Sequence, residues 1–429
     1  MLYKIFTGPG LLLSVLLSVL LTLPVAADTA QNVFSHYQDA LIQVQVIEKQ
    51  TQRKSSIGSG FYVSEDLLIT NYHVIANRVL SEQQYQLMAS VNGQSQQTNA
   101  MVELDIVALD VVNDLALLRT SQLSSQPFRL AAALPLQGEQ VFSLGNPHDL
   151  GMVVVPGTYN GYKQQSFYPR LHVTGSINPG MSGGPSVNAL GEVIGVNVAT
   201  GGNQLGFVVP MAEVASLLQQ VPEQLPAISE LKTQMLAQLL HNQQQMLSPL
   251  LSADWQMQAL GKGRVPENIA PFIQCWGRAN PPQQNEGLNT ATAFCGQREE
   301  IFLSSQLNTG KIQMQFEWVD GSSLPALKFN QHYMAKIGYA NADNRAGQRD
   351  VTEFSCHSDI VGLNQQATRV IFCVRAYKAY PGLFDALYLA ATVAREQQGF
   401  ISHFTLAGVS ADNANAFARK FMEAVVWQY

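Results

Sequence analysis

Between about residue 55 and residue 210 the apolar residues come in short runs separated by glycine turns. Phe61-Tyr62-Val63, Leu67-Leu68-Ile69, Leu115 to Leu118, Val141 to Leu144 and Val193 to Val196 are such runs. Little helical periodicity links them, and many short strands at this spacing predict an all-β sandwich or barrel. A helix is expected just ahead of them, near Gln31 to Ala40. After Pro210 the texture changes. Ala212 to Gln220 reads as a short helix, and Pro222 and Pro226 then interrupt the chain. From Ser229 to Leu247, Leu231, Met235, Leu239 and Leu240 recur at helical spacing among glutamines, which predicts an amphipathic connector packed on a domain.

Beyond Pro249 the pattern is mixed. Ile312 to Trp318 alternates strictly and ends at Asp320-Gly321, a strand followed by a turn, and Arg369 to Ala376 reads as another strand. Leu383 to Arg395 and Ala411 to Gln428 are expected to be helices, the latter with Ala414, Phe417, Phe421 and Val425 on one face. No internal repeat of solenoid period is present. The expected organisation is a signal peptide over 1–27, an all-β domain over 28–215, a helical linker over 216–249 and a separate α+β domain over 250–429.

A chain of 429 residues favours two domains. With 46% apolar and 13% charged residues it can build large cores, so wholesale disorder is not expected. A formal charge of −6 lacks the basic footprint of a nucleic-acid binder. At the N-terminus, Lys4 precedes an apolar run from Leu11 to Leu21, and Val25 and Ala27 suit cleavage after Ala27. The run is short for a stable span and no later segment is long enough for one. The mature chain is therefore expected to be soluble, without a membrane span, in the periplasm or secreted.

Cysteine usage agrees with that compartment. Cys275, Cys295, Cys356 and Cys373 are an even set in an exported chain, which favours disulfides. Three connectivities are open, and nearest-neighbour pairing is the simplest. The spacings lack the short pairs of structural zinc sites, so no metal is expected.

Three local signals carry the candidate chemistry. Leu68-Ile69-Thr70-Asn71-Tyr72-His73-Val74-Ile75 places a histidine just after a strand. Val112-Asn113-Asp114-Leu115 places an aspartate at the head of one. Asn178-Pro179-Gly180-Met181-Ser182-Gly183-Gly184-Pro185 places a serine inside a glycine loop. Each alone is weak, since a lone histidine is usually structural and a Ser-Gly-Gly turn is usually only a turn. Together they match a chemical need. A serine hydroxyl attacks a carbonyl only if a base takes its proton, and a histidine oriented by an aspartate does so. The resulting oxyanion needs donors, for which the amides of Gly180 and Ser182 are the candidates. Triad chemistry of this kind calls for no cofactor.

These residues, with Gly58-Ser59-Gly60-Phe61 and Leu144-Gly145-Asn146-Pro147, resemble the HtrA/Deg group of trypsin-like proteases over roughly Gln31 to Met211. The resemblance implies two six-stranded β-barrels with the site in the cleft between them. His73 and Asp114 would belong to the first barrel and Ser182 to the second. Two departures stand out. Met181 replaces the asparagine usual before the nucleophile, and it cannot receive a new N-terminal ammonium as zymogen activation requires. No PDZ module follows the protease, so cage-like assembly is not implied.

Ser176 stands where an acid would select Lys or Arg, and Ile177 follows it. With Asn197, Val198 and Ala199 as a further wall, a shallow apolar pocket for small or medium aliphatic residues is expected. His148 reads as a surface-loop residue and His172 as a strand residue, while His357 is assigned no role. The function expected is an exported serine endopeptidase acting on polypeptides in quality control or processing. The rival is a protease-fold binding or regulatory protein with latent activity. In that case its C-terminal domain would receive an activating partner or form an oligomer.

Overall fold

The computed structural model describes residues 25–91, 101–124, 126–200, 202, 204–280, 287–337, 342–363 and 366–427. Most of the expected signal segment lies outside the described residues. A first helix, α1 (Val25–Tyr37), leads into β1 (Leu41–Glu48), β2 (Arg53–Tyr62) and β3 (Leu67–Thr70). Helix α2 (Tyr72–Leu80) then precedes β4 (Tyr85–Val91), β5 (Met101–Asp110) and β6 (Leu115–Thr120). These strands close a barrel in the order β1-β2-β3-β6-β5-β4. A second closed barrel, ordered β10-β11-β12-β9-β8-β7, is made of β7 (Gln140–Gly145), β8 (Val153–Tyr162), β9 (Leu171–Thr174), β10 (Pro185–Val187), β11 (Val193–Thr200) and β12 (Leu205–Pro210). The all-β expectation for this half thus resolves into a double barrel. Closure leaves neither sheet with a free edge.

Helix α3 (Met211–Leu218) is followed by α4 (Ile228–Ser252), a packed connector as expected, but one that packs on two cores rather than one. Leu231, Met235 and Leu239 in its first half join the core of the first barrel, and Met246, Leu247 and Leu250 in its second half join the core of the C-terminal domain. Spacing of three and four residues puts both sets on the inner side of one long helix.

The C-terminal domain runs β13 (Gln256–Leu260), β14 (Gly263–Asn268), β15 (Gln274–Ala279), β16 (Asn289–Gly296), β17 (Ile301–Ser304), β18 (Leu307–Thr309) and β19 (Lys311–Asp320). It continues through α5 (Ala326–Ile337), β20 (Ser355–Leu363), β21 (Gln366–Ala376), β22 (Phe384–Thr392), β23 (Gln398–Val409), α6 (Ala411–Ala424) and β24 (Val426–Trp427). A seven-stranded antiparallel sheet, ordered β15-β16-β19-β23-β22-β21-β20, is its centre. Helices α4 and α6 pack on one face around Phe316, Tyr388, Phe404, Phe417 and Phe421, and α5 covers part of the other through Phe329 and Tyr333. Disulfides join Cys275 to Cys295 and Cys356 to Cys373, directly opposed residues with Cα atoms 4.1 and 4.0 Å apart. Each edge strand of the sheet is therefore tied covalently to its neighbour.

One expected element is corrected. Leu383 to Arg395 is not helical; its core is the strand β22. Ala386, Tyr388 and Ala390 face α6 while Leu389 and Ala391 face α5, so both faces are buried and the apolar run is continuous. A strand covered on both sides loses the alternation that distinguishes it from a helix.

His403, on the central strand β23, is buried, and its Nε2 has no hydrogen-bond partner among the described residues. Burial pushes its pKa down to about 4, against a smaller opposing pull from Asp343. Below pH 6.5 the unfolded chain takes up a proton that the folded chain refuses. Stability present above pH 6.5 should therefore fall by about 3 kcal/mol as the pH drops to 4. Denaturant titrations at pH 7 and pH 4.5 should differ accordingly, and His403→Gln should flatten the difference.

Candidate active site

Antiparallel pairing of β3 with β6 places Thr70 opposite Ala116, so the end of one strand meets the start of the other. His73, on the first turn of α2, and Asp114, just before β6, are neighbours for that reason alone. The Tyr72 N–H and Asn71 Nδ2 both donate to the Asp114 carbonyl, at 3.2 and 2.8 Å. Asp114 itself adopts a left-handed backbone (φ 63°), a conformation that aspartate and asparagine tolerate better than most residues. Its Oδ1 accepts the His73 N–H at 2.8 Å, and its Oδ2 lies 2.6 Å from His73 Nδ1. Both carboxylate oxygens therefore engage one histidine, one through its backbone and one through its ring. Asn113 next to it is held by Asp110 Oδ2 at 2.8 Å and Glu213 Oε2 at 3.1 Å. Burial on its own would lower the His73 pKa, but the Asp114 charge and hydrogen bond outweigh it and raise the value above that of ordinary imidazole.

The serine loop enters from the second barrel. Asn178 to Met181 is a turn closed by Met181 N–H donating to the Asn178 carbonyl at 3.0 Å, with Pro179 second and Gly180 third at φ 96°. Proline followed by a positive φ is the type II pattern. Every carbonyl from Pro179 to Ser182 is engaged. Pro179 accepts from the His148 N–H (2.9 Å), Gly180 from Ser59 Oγ (2.7 Å), Met181 from the Gly184 N–H (3.0 Å) and Ser182 from the Ser59 N–H (2.8 Å). Because C=O and N–H point oppositely across a trans peptide, these bonds fix where the N–H groups aim. Met181 and Gly183 N–H find acceptors in Asn178 and Asn197. Among the described residues the Gly180 and Ser182 N–H groups donate to nothing. Ser182 Oγ likewise makes no hydrogen bond among the described residues, to His73 or to any other group.

Two features of this loop were not read from the sequence as functional. Ser59, fully buried on β2, donates from Oγ to Gly180 and accepts there from the Asn146 N–H at 2.9 Å, linking the two barrels at the serine loop. Its setting between Gly58 and Gly60 was the available signal. A Cβ on Gly58 would come 3.0 Å from the Ser182 carbonyl and closer still to Val74, so the strand must be bare there. The second feature is the His148 backbone. His148 and Asp149 are left-handed in succession, and Asp149 anchors them to the first barrel by accepting from Gln43 Nε2 (2.5 Å) and Lys54 Nζ (2.6 Å). Those bonds, Gln43 first, hold the Asp149 carboxyl below the usual carboxylate range.

Met181 is buried in the core of the second barrel with Ile177, against Gly145. Ile177 also fills the space over Gly206, where a Cβ would come within 2.7 Å of its Cδ1. Ser176 is exposed and Val198 half-buried. The expectation that Asn197 forms a pocket wall is corrected for its side chain. It is fully buried, donating to the Leu144 carbonyl at 3.0 Å and accepting from Ser186 Oγ at 2.7 Å. Only its backbone faces the serine loop. Ala199 continues β11 opposite Phe207. His172 is half-buried near Phe207, and the His148 and His357 side chains are exposed. Among the described residues no group of three or more His, Cys, Asp or Glu could hold a metal ion.

Residues 58–196 match the family described as the trypsin-like peptidase domain. A protein of Ectopseudomonas mendocina named "Probable periplasmic serine endoprotease DegP-like" is 33% identical over 183 residues, 40% of this chain and 35% of the relative. Serine protease HTRA1A of Danio rerio is 29% identical over 194 residues, 42% of this chain and 39% of the relative. Among solved structures, Deg5 is 26% identical, covering 45% of this chain and 94% of its own, with a TM-score of 0.39. The chain thus spans little more than a third of the length of these two curated relatives.

Proposed function

We infer that this chain, which carries a trypsin-like peptidase domain of the HtrA type, is a serine endopeptidase with His73, Asp114 and Ser182 as its triad. The observation that carries the reading is the pair of unengaged N–H groups, Gly180 and Ser182, on a loop whose carbonyls are all tied elsewhere. Both residues are half-buried, and backbone N–H groups held in direction and left without a protein acceptor are what stabilisation of a tetrahedral oxyanion requires.

The chemistry follows. Ser182 Oγ attacks the scissile carbonyl as His73 Nε2 takes its proton, and Asp114 holds the Nδ1–H and stabilises the imidazolium. Gly180 and Ser182 N–H donate to the tetrahedral oxyanion. His73 returns the proton to the leaving amine, and water hydrolyses the acyl-enzyme by the same route. The accompanying reading of specificity is a preference for small or medium aliphatic residues, since Ile177 fills the space over Gly206 beside exposed Ser176 and half-buried Val198, with no acid there to hold Lys or Arg. The two disulfides and the periplasmic relative support export to the periplasm or beyond, and processing or quality control of exported proteins is the corresponding role.

The test is labelling of the purified protein with a fluorophosphonate, with the modified peptide mapped. Labelling on Ser182, absent in Ser182→Ala, is the expected result. A folded protein that does not label would instead favour a latent, partner-activated protein. The packing of the C-terminal domain against α2 keeps that second reading in play. A pH profile supplies an independent check. Since His73 must be neutral to act and its pKa is raised, kcat/KM should fall with acidification through a midpoint above the ordinary imidazole value near 6.5. A rate flat from pH 5 to 8 would remove His73 as the base.

A further inference from the structure

We propose that the C-terminal domain supplies one wall of the substrate cleft. Phe302, on the β17–β18 hairpin, bounds the subsite beside His73 and selects an apolar side chain at the position just before the cleaved residue. This deepens the endopeptidase reading and rests on it.

The hairpin belongs to the C-terminal domain by sequence but to the first barrel by packing. Strand β17 lies on α2, and Ile301, Leu303 and Leu307 are buried in the same core as Tyr72. The Tyr72 hydroxyl donates to the Leu303 carbonyl at 3.0 Å, across 231 residues of sequence. Successive side chains on a strand point to opposite sides. With Ile301 and Leu303 turned into the core, Phe302 must turn out. It is only half-buried, and its ring stands edge-on to the His73 imidazole, centroids 6.0 Å apart.

Two further contacts fix the hairpin from the second barrel. Glu299, just before it, pairs with Lys163, and Gly310, just after it, accepts from the Tyr168 hydroxyl at 3.4 Å. Lys163 lies over Phe207 on β12, the strand between β9, which runs into Ser176 and Ile177, and β11, which carries Val198. The hairpin is thus gripped by both barrels on the flank of the cleft that leads to the candidate specificity pocket. An acyl half reaching Ser182 past Ile177 and Val198 would run along that flank. A ring there offers apolar surface and no hydrogen-bond donor, so aliphatic residues and proline gain contact while acidic residues lose water without replacement.

The experiment compares peptide-library cleavage by the purified full chain, Phe302→Ala and Phe302→Leu, with fluorophosphonate labelling of Ser182 measured for each. All three should label on Ser182. The parent and Phe302→Leu should prefer Leu, Val or Pro at the position before the cleaved residue, and Phe302→Ala should lose about ten-fold of that preference in kcat/KM. If Phe302→Ala fails to fold, Phe302→Leu and Phe302→Trp must shift the preferred size in opposite directions. Labelled variants with unchanged profiles overturn the inference and leave the endopeptidase reading standing. Faster labelling of Phe302→Ala with an unchanged profile also overturns it, making the hairpin a plug. A parent protein that never labels Ser182 removes both.

Discussion

Asp114→Asn should lower kcat about 10⁴-fold while leaving the melting temperature nearly unchanged. In the native site Oδ1 accepts the His73 backbone N–H and Oδ2 accepts the ring Nδ1–H, so both oxygens serve as acceptors. An asparagine has one acceptor and one donor end. If its oxygen keeps the backbone N–H, its amide hydrogens face Nδ1 and force the proton onto Nε2, where the base must be bare. The shape survives and the tautomer is wrong. Ser182→Ala should reach the same floor or lower, and combining the two should add little, because both remove one concerted proton transfer. Steady-state kinetics on the three variants, alongside thermal scans, check this. A loss below ten-fold for Asp114→Asn would take Asp114 out of the mechanism.

Gly183→Ala should act the other way round, destabilising the protein by about 3–5 kcal/mol and abolishing Ser182 labelling as a consequence. Gly183 has φ 85°, and a Cβ there would sit 2.2 Å from the Ser59 carbonyl and 2.3 Å from Thr70 Oγ1. Those atoms cannot yield separately, because Thr70 Oγ1 donates to that same carbonyl at 2.7 Å and the Ser59 N–H holds the Ser182 carbonyl. Relief therefore requires the nucleophile loop to lift away from the first barrel. A fall of about 10 °C or more in melting temperature is expected. A variant with native stability and full labelling would mean that the two barrels are not locked at Ser59.

Strands of the first barrel were visible because Phe61 to Val63 and Leu67 to Ile69 are short apolar runs with turn residues at both ends, a signal confined to a few neighbours. Strand β22 was misread as a helix because what makes it a strand is burial on both faces by α5 and α6, which no local window contains. Asn197 was misassigned to a pocket wall for a related reason. On β11 its neighbour Val198 turns outward, and only the register of the sheet says which of the two points in.

By itself the sequence determined the residue types of the candidate site and their order, His73, Asp114 and Ser182, together with the glycines that let the serine loop turn. Such features are local, since they depend on bond geometry and on which side chains can carry a proton. The tertiary structure alone decided that Ser59 joins the barrels, that the His148 backbone turns the Pro179 carbonyl aside, and that Phe302 reaches His73 from the C-terminal domain. These are contacts between segments far apart in the chain. Their positions follow from how barrels, helix and sheet pack together, and no short stretch of residues encodes that.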